Sequence, residues 1–520
     1  MPEMHRFAAP SADPGSVVRG GEDVREALGA IAREARIIGV GEAAHSVAEI
    51  QAVQELVVGA LLEPDGGSEA GAEADGPMAV IALESGFAEA LALDAWVGGE
   101  GGDEDLAAVA ERGMTYGFGA SRMVRRLLAR LRERNRREPG GRVRVVGLDL
   151  PGSATSPGPA VRVCLDAVPA LPGDAGLLRR SDLGGRTEAA IAYERLSADE
   201  RSALARDLRV LVGRVRDAAA AARGESPGPD VADGRPRSAG LPPQPDLAIA
   251  LRAAESLAAF LDELEYDADG EASDAPYPRE RFMAETALWA AARYGRTVVL
   301  AHNAHVRREP LHGRPTLGGI VAEELGGAYR AIATSYASGP AVRFVARSPR
   351  PFDCDVLLEH REPAPGSIEA AIEAYLGDTS PGAVLIELPS DHWSGARCAL
   401  PSSGRRRTVW GSAAERDPRP GIAAALAAAS GMHAGAELDP VDDLAAAFDA
   451  IIHLSRAHRV PGAFERLRTE FGTGEPGERS GREARADSGP ETPVEADAVD
   501  TGQATPPRSE PAVDAEEKPS

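Results

Sequence analysis

The sequence predicts an α/β protein: a largely parallel central sheet flanked by helices, with a helical insertion and a disordered acidic C-terminal tail. Three observations predict it. Short apolar runs at Ile37–Val40, Met78–Leu83 and Val298–Ala301 each stop at polar, titratable residues. Between them lie stretches whose apolar positions recur at helical spacing, the alternation that βα units produce. Beyond about residue 466 the chain turns to Glu, Asp, Pro, Gly, Ser and Thr, with too little apolar surface to fold.

Taken in order, residues 1–20 look irregular, and 21–35 carry Val24, Leu28, Ile31 and Ala35 at helical spacing. The first strand, Ile37–Val40, ends at Gly41. A helix is expected to open there, because Glu42, His45 and Glu49 stand three and four positions apart and would share one face. It continues through 47–62. Residues 64–77 lack large apolar side chains and read as an exposed insertion. Strand two is 78–84, followed by a helix over 87–97 and a glycine and acid loop over 98–105. The segment 119–138 is amphipathic, with Met123, Leu127, Leu128 and Leu131 inward and arginines outward. Strand three is 142–149, ending in Asp149, and this order implies right-handed parallel crossovers.

Residues 151–185, rich in Pro and Gly, read as loop; 187–222 and 245–266 read as long helices joined by a Pro/Gly linker. Together 150–270 form a helical insertion or lid within an α/β catalytic domain spanning 21–465. A helix over 279–295 feeds the strand 297–301. Residues 316–327 read as helix, 329–336 as a strand that turns at Ser338-Gly339-Pro340 into a hairpin partner near Val342, 367–376 as helix, and 382–388 as strand. Residues 441–455 read as a final strand, and 466–520 is the tail.

The bounds on function are composition and charge. A chain of 520 residues can bury a large core. A net charge of −24 argues against nucleic acid or an anionic membrane as partner. Cys164, Cys354 and Cys398 are far apart with no CxxC, so neither a zinc ribbon nor a disulfide framework is indicated. Residues 1–18 lack an apolar signal core and no window is long enough to span a bilayer, so the expected compartment is the cytoplasm. Lys518 is the only lysine, a mark of genomic composition. Nothing in the sequence specifies an oligomeric state.

Parallel strands share their C-terminal edge, so Glu42, His45, Glu84, Asp149, His302, Asn303 and His305 can converge there. Histidine beside carboxylate is the usual equipment for acid–base chemistry. His302 has a second, lesser reading as a hydrogen-bonded core histidine, and Asp149 reads equally as a helix cap. His433, His453 and His458 have no supporting constellation.

Gly-Glu-Ala-Ala-His at 41–45, Leu-Glu at 83–84, Gly-Leu-Asp at 147–149, Arg-Glu-Arg-Phe-Met-Ala-Glu at 279–285, Ala-His-Asn-Ala-His-Val at 301–306 and Phe-Asp-Ala-Ile-Ile at 448–452 occur in this order. Together they resemble the erythromycin esterase family over roughly 25–465. The resemblance implies an α/β core with helical insertions and hydrolysis of a macrolide-type lactone ester, the chemistry of antibiotic resistance. It implies that His45 is the base, that Glu42 and Glu84 are active-site glutamates, that His302 and His305 are the motif histidines, and that Arg279 supports the site. Where the family reads Gly-Thr after the histidine, this chain has Ser46-Val47; Glu49 is retained. Where it reads Arg-Asp, this chain has Arg279-Glu280.

Ester hydrolysis needs a base for water and donors for the developing oxyanion. His45 can take the proton, Glu42 or Glu84 can hold its tautomer, and His302, His305 or Arg279 can donate to the oxyanion. With no G-x-S-x-G elbow, water is the expected nucleophile, with no cofactor or metal and a small-molecule ester or lactone as partner. Three alternatives stay open: a metal-dependent hydrolase or protease-like enzyme using the same Glu and His, a non-hydrolytic cyclase or lyase of natural-product metabolism using the same base, and a non-enzymatic binding protein.

Overall fold

The computed structural model describes residues 4–7, 22–62, 77–115, 117–153, 156–183, 192–193, 195–224, 246–266, 276–346, 354–377, 382–388 and 426–471. Its strands are β1 (Met4–Phe7), β2 (Ile37–Glu42), β3 (Val80–Gly86), β4 (Arg144–Asp149), β5 (Thr297–His302), β6 (Tyr329–Ala346), β7 (Cys354–Arg361), β8 (Ala383–Glu387), β9 (Gly431–Ala434), β10 (Glu437–Pro440) and β11 (Ala450–Arg456). The helices before β5 are α1 (Glu22–Ala32), α2 (Ala48–Leu62), α3 (Phe87–Val97), α4 (Leu106–Gly113), α5 (Arg122–Arg137), α6 (Gly158–Asp166), α7 (Asp174–Ser181), α8 (Ala198–Gly224), α9 (Leu247–Tyr266) and α10 (Pro278–Tyr294). After it come α11 (Asn303–Val306), α12 (Leu317–Leu325), α13 (Ile368–Leu376), α14 (Leu444–Ala447) and α15 (Ala463–Phe471).

The main sheet runs β1-β8-β11-β6-β2-β5-β3-β4, with β7 hydrogen-bonded to β6 beyond this path. The six strands from β11 to β4 are mutually parallel, while β8 and β1 add antiparallel at one edge. The predicted class is therefore the observed one: a largely parallel sheet flanked by helices. β5 enters late in the chain yet lies between β2 and β3, so the strand order reverses there, the place where open α/β sheets leave a crevice at the strand ends.

The strands are buried on both faces, which is why they read as near-continuous apolar runs. Ile37, Val80, Ala82, Val299 and Ile451 belong to one apolar cluster with α6, α8, α9, α10, α12 and α13. Ile38, Val40, Ile81, Val298 and Ile452 belong to a second with α1, α2 and α5. The described helices of the 150–270 segment thus pack in the same cluster as β3 and β4.

Several expectations are corrected. The N-terminus is not wholly irregular, because Met4–Phe7 pairs antiparallel with Ala383–Ile386. The Pro- and Gly-rich stretch 151–185 contains α6 and α7; Pro157 precedes the first turn of α6, where a missing N–H costs nothing. Ser338-Gly339-Pro340 does not turn: β6 runs through it, and its hairpin partner is β7. Residues 441–455 hold a short helix before the last strand. The expected insertion over 64–77, apart from residue 77, the linker over 224–243, apart from residue 224, and the chain beyond 471 lie outside the described residues. α15 runs past the expected start of the tail at 466, and its Leu467 packs with Val356 of β7 and Phe464.

Leu467→Ala is therefore expected to lower stability, by about 2 kcal/mol, the low end for removing a buried leucine. Urea melts of the two proteins at equal concentration measure it.

Candidate functional site

β2 reaches its end through Gly39 and Gly41 for a steric reason. A Cβ on Gly41 would stand 2.0 Å from Asn303 Oδ1, and one on Gly39 would stand 2.6 Å from the Tyr329 hydroxyl. These glycines let the turn after β5 lie directly across β2. Asn303 fastens that turn: its amide donates to Thr334 O at 2.7 Å, and Thr334 N donates to its oxygen at 3.2 Å. Thr334 Oγ1 in turn accepts from Ala43 N at 3.0 Å. Asn303 is thus a brace behind the site.

No helix opens at Glu42. Glu42 is the last residue of β2, residues 43–47 form a turn, and α2 begins at Ala48. Ser46, at φ 64°, takes the left-handed conformation that reverses the chain. Glu42 and His45 still meet, through the turn, with His45 Nδ1 hydrogen-bonded to Glu42 Oε1. Glu49 does not join them. It accepts from His458 N at 2.7 Å and meets His458 Nδ1 at 2.6 Å. The segment after β11 also receives Ala48 N on His458 O at 2.9 Å and donates Val460 N to Ser46 O at 2.8 Å. From another side, Gly435 N in the β9–β10 hairpin donates to Ala43 O at 2.8 Å. The catalytic-looking turn is clamped by residues from the far end of the chain.

Strand register does the rest. Glu42 and His302 are direct neighbours at the ends of β2 and β5. Glu84 of β3 accepts from His302 N at 2.8 Å. Arg279, in the first turn of α10, bridges strand ends: Nη2 lies 3.0 Å from Glu84 Oε1 and 2.8 Å from Asp149 Oδ2, and Nε lies 2.8 Å from Asp149 Oδ1. Asp149, fully buried, also accepts from Leu150 N at 2.8 Å, so it serves both as a local cap and as an ion-pair partner. His305 Nε2 stands 3.3 Å from Glu84, and its Nδ1 stands 2.5 Å from Glu280 Oε1. Glu280, which sequence reasoning noted only as a departure from the family pattern, also accepts from Leu317 N at 2.7 Å.

The three histidines differ in charge. Burial pulls His305 down, but Glu280 and Glu84 outweigh it by charge and hydrogen bonding and push it up to about 10, so it is an imidazolium at neutral pH. Burial and the like charges of His45 and His305 bring His302 down to about 3. It is neutral, its Nδ1 accepts from Ala304 N at 3.2 Å, and it is also hydrogen-bonded to the Ala43 backbone. Burial lowers His45, yet the charge and hydrogen bond of Glu42, with Glu84 adding, leave it raised. Glu84 lies well below the usual carboxylate range: burial opposes ionisation, and His305, His45 and Arg279 overcome it. The His45 side chain is 26% exposed, so it can be reached, and its ring sits 5.3 Å from that of His302 and 5.2 Å from Phe118.

Two buried groups escaped the sequence reading. Glu89, in the first turn of α3, accepts from Gly152 N at 2.6 Å through Oε1, while Oε2 has no partner among the described residues. Burial, with the nearby charge of Asp149, raises it to about 7. No spacing rule flags a glutamate five positions past Glu84. His453, which seemed unsupported, has partners on both nitrogens: Ser335 Oγ at 2.8 Å and Glu373 Oε1 at 2.9 Å. The residue types are those of a hydrolase triad, but Ser335 is 0% and His453 1% exposed, so they tie β6 and β11 to α13.

The sequence model described as "Erythromycin esterase" matches residues 78–457, a span that contains Glu84, Asp149, Arg279, His302 and His305 and begins after the His45 turn. Among solved structures, a histidine-to-asparagine variant of the erythromycin esterase EreC in its open conformation has TM-score 0.60 and 19% identity, covering 88% of this chain and 98% of its own. A protein from Bacillus cereus has TM-score 0.59 and 18% identity over 88% of this chain and 96% of its own. A succinoglycan biosynthesis protein has TM-score 0.55 and 16% identity over 87% and 95%. At these identities the likeness is one of fold. No curated protein matches the chain.

Two outcomes are expected from the geometry. Ser46→Gly should raise stability by about 1 kcal/mol, because glycine meets no Cβ penalty in the left-handed region; thermal melts measure it. Glu89 is raised from 4.5 to about 7, so the folded state holds a proton there that the unfolded chain releases. Glu89 thus contributes stability that is lost as pH rises from about 4.5 to 7, while His302, lowered from 6.5 to about 3, contributes with the opposite sign below 6.5. In denaturant melts the stability of the wild type minus that of Glu89→Gln should fall across that window.

Proposed function

The chain belongs to the erythromycin esterase family, and from that membership and the site's geometry we propose that it hydrolyses a carboxylic ester or lactone of a small natural-product molecule, macrolide-type in the family's sense, by water activated at His45. The observation that carries the reading is the pairing of a reachable His45 with Glu42 at a strand edge that also gathers Glu84, His305 and Arg279.

Glu42 accepts a hydrogen bond from His45 Nδ1–H, which leaves Nε2 of neutral His45 as the base. Water loses a proton to Nε2 as its oxygen bonds the carbonyl carbon. The charge on the carbonyl oxygen develops in the field of the His305 imidazolium and the Arg279 guanidinium. Collapse breaks the bond to the leaving alkoxide, which takes the proton back from His45. The products are an acid and an alcohol, or from a lactone one hydroxy acid heavier by one water. His302, neutral and engaged with backbone at both nitrogens, acts as the ring that positions His45. A metal-dependent reading would require Glu84 and His305 to leave the ion pairs that hold them to Arg279 and Glu280.

His45→Ala should lower kcat by about 10²–10⁴-fold or more while the protein still folds, as far-UV circular dichroism checks, with a lower melting temperature because buried Glu42 loses its imidazole partner. The proposal fails if the variant turns over a substrate of the wild type at a similar rate. Because Glu42 raises the pKa of His45, kcat/KM of the wild type should climb with pH through a value above 6.5. In Glu42→Gln the residual rate should climb at lower pH, since the carboxylate that held the proton on is gone. Mass spectrometry of the products, with a gain of one water, separates hydrolysis from cyclisation or elimination.

A further inference from the structure

Beside Glu42 and Glu84 a slot opens between α2 and α5, roofed by the segment after α4 and floored by β3 and β5. Leu83 and Leu300 form the floor, and Met114, Met123, Val124 and Leu127 the walls. Its cavity of about 60 Å³ has room for a chain of a few carbons and not for a macrolactone ring. Two polar side chains of α2 interrupt the lining. Gln51 is committed, its Oε1 accepting from the Ser121 hydroxyl at 2.5 Å. Gln54, half-buried one turn on, forms no hydrogen bond among the described residues. An amide that faces an apolar slot without a protein partner offers a donor and an acceptor to whatever enters. The carboxylates of Glu42 and Glu84 at the same slot repel an anionic chain, so the incoming oxygen must be neutral.

We propose that this slot is a specificity subsite, seating a short aliphatic chain that carries a hydroxyl or carbonyl oxygen for Gln54, on the branch of the substrate beside the scissile carbonyl. The assignment to a substrate branch rests on the hydrolase reading; the binding preference does not. Apolar floor and walls reward burial of methylenes. The two methionines let the slot adapt to branching.

The experiment has a binding arm and a turnover arm. With methyl-labelled methionine, NMR signals of Met114 and Met123 should shift on adding n-hexanol, and more at equal concentration with 1,6-hexanediol, while methionines outside the slot stay put. Val124→Phe, at a half-buried wall position that tolerates added bulk, should weaken hexanol binding about tenfold. It should lower kcat/KM for p-nitrophenyl hexanoate by a similar factor and by clearly more than for the acetate. Gln54→Leu should reverse the preference for the diol by about fivefold, the worth of one neutral hydrogen bond. Silent Met114 and Met123 signals, or a Val124→Phe effect equal on acetate and hexanoate, overturn the subsite. Selective alcohol binding with no ester hydrolysed sustains the slot and overturns the proposed activity. Hydrolysis without chain-length dependence does the reverse.

Discussion

Buried charge at the C-terminal edge of the parallel strands is the constraint on which the site depends. β2, β3 and β4 end in Glu42, Glu84 and Asp149, each under a tenth exposed, and an unpaired carboxylate at such depth costs several kcal/mol. The arginine that answers two of them comes from the first turn of α10, which fixes where that helix must dock. Glu280, next in that turn, then recruits His305 from the far side of β5, and His305 turns its other nitrogen to Glu84. Two standing cations, Arg279 and His305, contact three carboxylates, Glu84, Asp149 and Glu280, and Glu42 is left to His45. The charges of Glu42 and Glu84 raise His45, so the arrangement that stabilises the strand ends also sets the protonation of that histidine.

The parallel core was legible because strands buried on both faces leave uninterrupted apolar runs, and titratable residues at the ends of Ile37–Val40, Met78–Leu83 and Val298–Ala301 marked the shared edge. The edge strand Met4–Phe7 left no such run, since it is short and borrows its order from Ala383–Ile386. The helical reading of Glu42, His45 and Glu49 failed for an instructive reason. Spacings of three and four suit a helix face, but a tight turn also brings residues three apart together, and Ser46 at φ 64° makes that turn. Glu49 kept its helical place and faced the other way, to His458. Partners supplied from more than a hundred residues away, such as Ser335 for His453, leave no local pattern to read.

The Ser46 conformation also gives physical content to a departure from the family pattern. Glycine is the usual residue there by resemblance, and the left-handed backbone is where glycine alone avoids a Cβ clash. Serine holds that geometry because neighbouring backbone groups are tied down: Ala48 N donates to His458 O, Val460 N donates to Ser46 O, and Gly435 N donates to Ala43 O. Strain of this kind persists where surrounding contacts over-determine it.

That clamp has a consequence for how the protein is made. His45 leaves the ribosome early, but the residues that fix its turn, Gly435 and His458–Val460, leave more than 380 positions later by their numbering. An N-terminal fragment would carry His45 without the framework that holds its turn. On the role proposed for His45, a nascent or prematurely terminated chain is inert, and the turn is completed only once the last strand is in place.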